Sequence, residues 1–477
     1  MKYTPSTVSL CLCLFFGHCF SWMLLPCLDR AFAAENELSK SEDEQRLDTI
    51  RYGTETEIAA LIQTLKSERT GNQSSLQSKS EHTLDEALIG VSQNTRNQNI
   101  LSGVLSFFAD RDKKGLEQRA IKAIEEREDE ANETVLAAIE YLGKIKASAA
   151  LMPLEQLLDA QEQGFMGAAF RALGRVASGG SAQDKDVTAA YLADFYTNRN
   201  PPDASRRDII LALGDSGSPA GVSLLSEIAA NNQERGALRM TALEGLAKIG
   251  DSTGLEAILQ ALSSTDPNVR STAVTALGPF SGKSVDDAIL ESFRDSYYRT
   301  RIGAASAAGT RKLIEAIPYL QYRAERDEVP AVRDEAIKAL GAIGNPQAQA
   351  ILERLFTERK HAERIRIGAA EMLLLNNPET YTEKVITELD DAKKTNRTGL
   401  YNGFLKALSE TKTKRVETLV RRLLNSGGVI EKSYALDMIL GNELRSLAPE
   451  VRPLMTDEKN TGLARKARNI LEHFGLE

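Results

Sequence analysis

Six arginines recur at an almost fixed interval: Arg207, Arg239, Arg270, Arg301, Arg333 and Arg366, in steps of 32, 31, 31, 32 and 33 residues. A guanidinium offers five N–H donors in a planar fork and stays charged at any physiological pH. A periodic row of such groups suits one of two purposes. It can form a cationic ladder for an acidic partner. Alternatively, each arginine can pair with an aspartate in the turn of its own or the next unit and tie consecutive units together. Asp203 and Asp266 each lie four residues before an arginine of the row, Arg207 and Arg270. That placement favours the joint, in which a partly buried pair sets register more than it adds stability.

The other residue types capable of chemistry are scarce or scattered. Beyond the first thirty-odd residues the histidines are His82, His361 and His473, too far apart in sequence to suggest one metal site. The four cysteines, Cys11, Cys13, Cys19 and Cys27, all fall near the N-terminus. A chain shortened there could form neither a disulfide nor a Cys-ligated metal site. No G-x-S-x-G elbow, Walker-type loop or G-x-G-x-x-G after a strand is present. The carboxylates are numerous, but none forms a nominated acid–base pair. The sequence therefore predicts no catalytic residue, no metal and no cofactor.

Two patches suit recognition rather than catalysis. Tyr297, Tyr298, Tyr319 and Tyr322 fall in neighbouring helices with Arg299, Arg301, Arg323 and Arg326. Tyrosine and arginine are enriched in interface hot spots, so Tyr297, Tyr298, Tyr319, Tyr322 and Arg323 form a candidate docking patch. The bland alternative is tyrosines packed between helices beside solvated arginines. Lys412, Lys414, Arg415, Arg421 and Arg422 form a basic cluster, expected to be a solvated helix face.

The elements that would carry these residues can be read around Asp266-Pro267-Asn268-Val269-Arg270. Before it, Leu255, Ile258, Leu259 and Leu262 are spaced i, i+3, i+4 and i+7, one face of a helix. Asp266 can cap the next helix and Pro267 suits its first turn. That second helix places Val269, Ala273 and Leu277 on its apolar side. Gly217-Ser218-Pro219, Gly250-Asp251 and Gly344-Asn345-Pro346 are stop signals. Each unit of about 31 residues is thus two helices.

The string Asp266 to Gly278, D-P-x-V-R-x-x-A-x-x-A-L-G, and its relatives around Arg239, Arg301, Arg333 and Arg366 resemble the HEAT-repeat family. The resemblance is to the short bacterial-type repeats also seen in phycobilin lyases. It covers residues 130 to 400 well; Glu133 to Gly143 and Gly167 to Gly174 match without the arginine. It implies an all-α fold, a right-handed α-solenoid of stacked helix pairs whose second helices line the concave face. The motif shared with the lyases carries no chemistry. The deoxyhypusine hydroxylases, a HEAT-like enzyme family, hold two irons with paired His-Glu motifs, and this chain has no His-Glu pair.

The expected organisation has four parts. Residues 1–34 read as a signal peptide, with Lys2 before an apolar stretch and Ala31-Phe32-Ala33 as the cleavage site. An uncleaved anchor is the alternative, and Leu24-Leu25-Pro26-Cys27 faintly matches a lipidation box. Residues 35–130 read as a polar segment and irregular repeats, 131–394 as the regular array, and 395–477 as degenerate repeats. In the last part a helix over 462–474 sets Leu463, Ala467, Ile470 and Leu471 against Arg465, Lys466 and Arg468, as a terminal cap requires. Long loops are expected at 67–83, around His82, and at 177–186.

The formal net charge is −8. Such an acidic chain lacks the basic stripe that nucleic acid requires. The expected function is a non-catalytic protein-binding scaffold of the bacterial cell envelope, exported to the periplasm and monomeric outside its complexes. Its protein partner is unidentified, and it meets the membrane only if lipidated at Cys27. The alternative is an enzyme or enzyme subunit, lyase-like or oxidoreductase-like, that uses the solenoid as a frame.

Overall fold

A computed structural model describes residues 41–68, 78–199, 201–457 and 459–476. The proposed leader, with all four cysteines, lies outside the described residues, as does most of the expected 67–83 loop. Among the described residues every regular element is a helix. The fold is an all-α solenoid of HEAT-like helix pairs. No described helix is long and apolar enough to cross a membrane. The contacts divide the chain into two units, one ending at Arg111 and one starting at Asp112.

In the first unit, Glu42–Tyr52 pairs with Glu55–Ser67 and Ser78–Asn94 with Gln98–Ala109. First helix packs on first and second on second. Ser41 and Thr54 start their helices with capping boxes closed by Glu44 and Glu57. Ile58, Ile62, Leu65, Leu88, Leu101 and Phe108 are buried between the pairs. The Arg111 guanidinium lies 4.0 Å from the Phe107 ring centroid and donates to the Leu65 carbonyl at 3.0 Å. His82, expected in a loop, sits in the helix Ser78–Asn94.

The second unit repeats one design from Glu117 to Phe474. A first helix, A, is followed by a turn and a second helix, B, that carries the motif. Examples are Leu255–Ala261 with Pro267–Ala276, Ile317–Arg326 with Pro330–Ile343, and Pro346–Thr357 with Glu363–Asn376. Each B helix packs directly on the next along the unit. A glycine inside the B helix makes this possible in several units, as at Gly174 and Gly214, whereas Gly278 follows the end of Pro267–Ala276. A Cβ on Gly174 would fall 2.7 Å from the Ala212 Cα, and one on Gly214 2.7 Å from the Gly245 Cα. Only glycine lets the backbones meet so closely. The stop glycines come three to five residues later, at Gly217, Gly250 and Gly344, with φ of 67°, 72° and 64°.

Asp266 caps its helix by accepting from Asn268 N, and Pro267 occupies the first turn. Val269, Ala273 and Leu277 are buried. The 177–186 loop is a correction. Gln163–Gly179 runs through most of its first part, and Ser181 caps a helix over Ala182–Asn198. Two 17-residue helices take up the longer repeat, not a loop. Ala177 is fully buried, so packing outweighs the turn-like composition of Ala177-Ser178-Gly179-Gly180. At the far end Thr461–Phe474 buries Leu463, Ala467, Ile470 and Leu471 and exposes Arg465 and Arg468.

Candidate functional site

The arginine row sits at the turns between A and B helices. Arg301 makes the fullest set of bonds in the row. Its Nε and Nη2 donate to the two carboxylate oxygens of Asp327 at 2.8 and 2.9 Å. Its Nη1 donates to the Asp295 and Ser296 carbonyls at 3.0 and 3.1 Å. The Arg301 side chain is 5% exposed and that of Asp327 0%. One guanidinium thus satisfies the carbonyls of its own turn and the carboxylate of the next. Arg270 repeats the geometry one unit earlier, bonding Asp295 at 2.7 and 3.0 Å and the Ser264 carbonyl at 2.9 Å. Arg333 continues it with a bond to the Asp327 carbonyl at 2.7 Å. Arg270, Asp295, Arg301, Asp327 and Arg333 therefore form one connected chain of bonds.

Asp295 and Asp327 also accept from Tyr297 N and Val329 N at 2.7 and 3.0 Å, which starts the following B helices. Burial pushes both carboxyls up. The paired guanidinium and the backbone N–H outweigh it and hold both below the usual carboxylate range.

The partners expected for the row need correction. Asp266 is the cap of its own helix, and the carboxylate bound to Arg270 is Asp295. Asp203 pairs with Arg235 at 2.6 Å, both well exposed, and not with Arg207. Arg207 itself is exposed and makes no ion pair with a described residue. The arginine in register is its neighbour Arg206, half-buried with its guanidinium 5.5 Å from the Tyr196 ring centroid. Arg206 precedes Gly214 by eight residues, as Arg301 precedes Gly309 and Arg333 precedes Gly341.

The remaining arginines depart from the pattern. Arg239 bonds the Ala229 carbonyl at 3.0 Å and Ser264 Oγ at 3.2 Å, because serine stands where later turns carry aspartate. Arg366 bonds the Phe356 carbonyl at 2.8 Å and Glu388 at 2.6 Å, the latter on the next A helix. Asp295 and Asp327 are the residues that sequence reading missed. Their signal is an aspartate six residues before Arg301 and Arg333.

The tyrosine patch separates into two places. Arg294, Pro318, Tyr319, Tyr322 and Arg323 line a cavity of about 340 Å³. There Tyr319 stacks on buried Phe293 with centroids 5.5 Å apart, and Arg294 lies 5.7 Å from the Tyr319 centroid. Tyr322 is 56% exposed, with the Arg323 guanidinium 5.4 Å from its ring. Arg323 is anchored on the Phe293 carbonyl and on Asp327. Tyr297 and Tyr298 are absent from this lining. They pack edge to face at the start of the B helix, and Tyr297 donates to Asn268 Oδ1 at 3.0 Å.

The basic cluster does not stand free. Arg422 forks onto Asp390 at 2.8 Å, Arg421 reaches Glu450 at 3.0 Å and Arg415 reaches Glu379 at 2.6 Å. Similar ties join neighbouring B helices, such as Arg171 with Asp208 at 2.7 Å and Lys466 with Asp437 at 2.8 Å. Among the described residues no group of three or more His, Cys, Asp or Glu could hold a metal ion. His82 faces Glu86 at 3.4 Å and His473 faces Glu443 at 3.1 Å.

One opening lies on the B-helix face. Asp334, Ile337, Lys338, Arg364 and Gly368 help to line a cavity of about 480 Å³. Leu375, Pro378, Lys406 and Glu410 help to line another of about 370 Å³. Glu371 and Met372 line both, so the two form one trench.

No curated protein matches the chain. Among solved structures it is similar to Kap121p bound to Pho4p, with 13% identity over 93% of this chain and 55% of that one, at a TM-score of 0.43. The karyopherin Kap121p bound to the SUMO protease Ulp1p gives 13% identity, 93% and 54% coverage and a TM-score of 0.42. Human deoxyhypusine hydroxylase in complex with glycerol gives 18% identity over 55% of this chain and 98% of that one, at a TM-score of 0.25. The chain spans about half the length of Kap121p. These likenesses are too distant to transfer a residue's role. The family model for the spirochaete HEAT repeat protein, by contrast, matches residues 50–470. The chain belongs to the spirochaete HEAT repeat protein family.

Proposed function

We propose that this chain is a non-catalytic protein-binding scaffold of the bacterial cell envelope. On this reading the arginine row is a set of joints between repeats, and the Tyr319–Tyr322–Arg323 patch is a docking element. Tyr322 carries the reading. It is a large exposed ring that lines a cavity with Tyr319, and the guanidinium of the anchored Arg323 lies 5.4 Å from it. A repeat array suits such a role because each pair touches mainly its neighbours and offers a long surface. Export to the periplasm is part of the proposal and rests on the leader.

The test is crosslinking in cells followed by identification of co-purifying envelope proteins. Tyr322→Ala should lose the principal crosslinked partner and keep its melting temperature. Arg270→Ala and Arg333→Ala should lower the melting temperature and keep the partner. The reverse pattern would show that the arginines bind the partner and the tyrosine does not. Stoichiometric iron in purified protein would instead favour an enzyme.

A further inference from the structure

The trench on the B-helix face combines an apolar mouth with carboxylates that lack a direct partner. It crosses three consecutive B helices, Pro330–Ile343, Glu363–Asn376 and Thr398–Ser409. Every cation in its lining has a partner. Arg364 holds Asp334 at 2.9 Å, Lys338 lies 3.7 Å from Glu335, Lys406 lies 3.8 Å from Glu410, and Lys412 donates to the Gly441 carbonyl at 2.6 Å. Two carboxylates do not. Glu363 and Glu371 make no hydrogen bond or close ion pair with a described residue; Glu371 is half-buried, and Lys406 and Lys338 act on it only at longer range. A half-buried carboxylate without a direct partner is costly, and a cation brought into hydrogen-bond distance recovers the part that the more distant lysines leave.

The trench is also apolar where it opens. Leu375 is 74% exposed and stands beside Met372 and Pro378. Its floor is wide because Gly368 adds no side chain. A Cβ there would meet only Ile337, at 3.6 Å or more. Packed helices lie about 8–10 Å apart, so three span roughly 20 Å. An extended chain covers that with about six residues.

We propose that this trench receives an extended segment of a protein partner in which lysine or arginine residues alternate with aliphatic ones. The cations pair with Glu371 and Glu363, and the aliphatic groups cover Leu375 and Met372. This rests on the scaffold reading and names the partner chemistry of one site.

The test uses the full chain and three fluorescent nonapeptides, read by anisotropy at fixed ionic strength. Their cores are Lys-Leu-Lys-Leu, Glu-Leu-Glu-Leu and Lys-Ser-Lys-Ser, each flanked by Gly and Ser. The Lys-Leu peptide should bind about tenfold tighter than either of the others, one charge-assisted contact's worth of discrimination. Glu371→Gln should weaken it about tenfold, and Leu375→Ser severalfold. Glu256→Gln, an exposed carboxylate elsewhere in the array, should leave it unchanged. An equal loss in Glu256→Gln would mean general attraction to an acidic protein and would overturn the proposal. So would tight binding of the Glu-Leu peptide, no effect of Glu371→Gln, or no binding of the Lys-Leu peptide. None of these outcomes touches the Tyr322 crosslinking result, so failure of the trench and failure of the scaffold remain distinct.

Discussion

The stretch from Ser264 to Arg333 and the stretch from Asp334 to Lys412 are built from the same repeat and treat charge in opposite ways. In the first, Asp295 and Asp327 are each wrapped by arginines from two consecutive units and by a backbone N–H. Neither carboxylate is left to attract a partner's cation. In the second, the turn position holds Glu358, which bonds Lys360 at 2.7 Å instead of Arg333. Arg366 turns to Glu388, and Glu363 and Glu371 stay unpaired on the B face. A repeat motif thus sets the backbone everywhere, and small changes at one turn decide whether charge closes a joint or remains available.

The largest effect should come from breaking the closed stretch at its most buried point. Asp327→Ala leaves Arg301 enclosed without its carboxylate and also strips Arg323 of an acceptor. Removing one partner of a buried pair costs about 3–5 kcal/mol. Denaturant unfolding should show that loss, with faster amide exchange centred on Tyr298–Thr310 and Pro330–Ile343. A loss under about 1 kcal/mol, as for a surface ion pair, would erase the distinction between the two stretches.

Backbone packing provides the next test, because the close approach recurs at Gly143, Gly174, Gly214 and Gly309. Gly174→Leu would drive a side chain into the Ala212 backbone. Overpacking of this kind costs about 1–3 kcal/mol. Gly368→Ala, on the trench floor, should cost far less, since its Cβ meets only ordinary contact. Equal melting temperatures for the two variants would refute the close B–B approach.

Acidity separates the stretches by sign. The carboxyls of Asp295 and Asp327 lie below their unfolded value of about 3.9, so the stability they add is complete above that pH. It is lost as pH falls through their lowered values. Glu371 is raised, chiefly by burial, so it costs stability as pH rises through its elevated value. Asp295→Asn should therefore lower stability at neutral pH and flatten its decline in acid. Glu371→Gln should raise stability at neutral pH and leave it unchanged in acid. Melting temperatures taken from pH 3 to 8 would show whether the two variants diverge in this way.

Much of the fold was legible because the motif places its helix cap, its buried Val-Ala-Leu row and its stop glycine at fixed offsets. Asp266, Val269 and Gly250 all occupy the places that local chemistry requires. The joint was half legible. The arginines recur, but the matching turn position is Ser264, Asp295, Asp327 and then Glu358, too varied to mark by eye. The trench was not legible, since it depends on which faces of three helices meet between Pro330 and Ser409.

Arg206 and Arg207 carry the smallest prediction and the sharpest test of register. Both precede the same B-helix core, and spacing among arginines alone does not choose between them. The distance to the packing glycine does, because Gly214 fixes the angle at which the helix meets its neighbour, and eight residues before it lies Arg206. Arg206→Ala should cost about 1 kcal/mol, the worth of a partly desolvated contact with the Tyr196 ring. The cost stays modest because its buried Nε has no acceptor among the described residues, so the substitution also removes an unmet donor. Arg207→Ala should stay within about 0.5 kcal/mol, as an exposed side chain does. If Arg207→Ala proves the more damaging, the joint follows the spacing of the arginines and not the packing of the glycines, and the register assigned to this repeat is off by one.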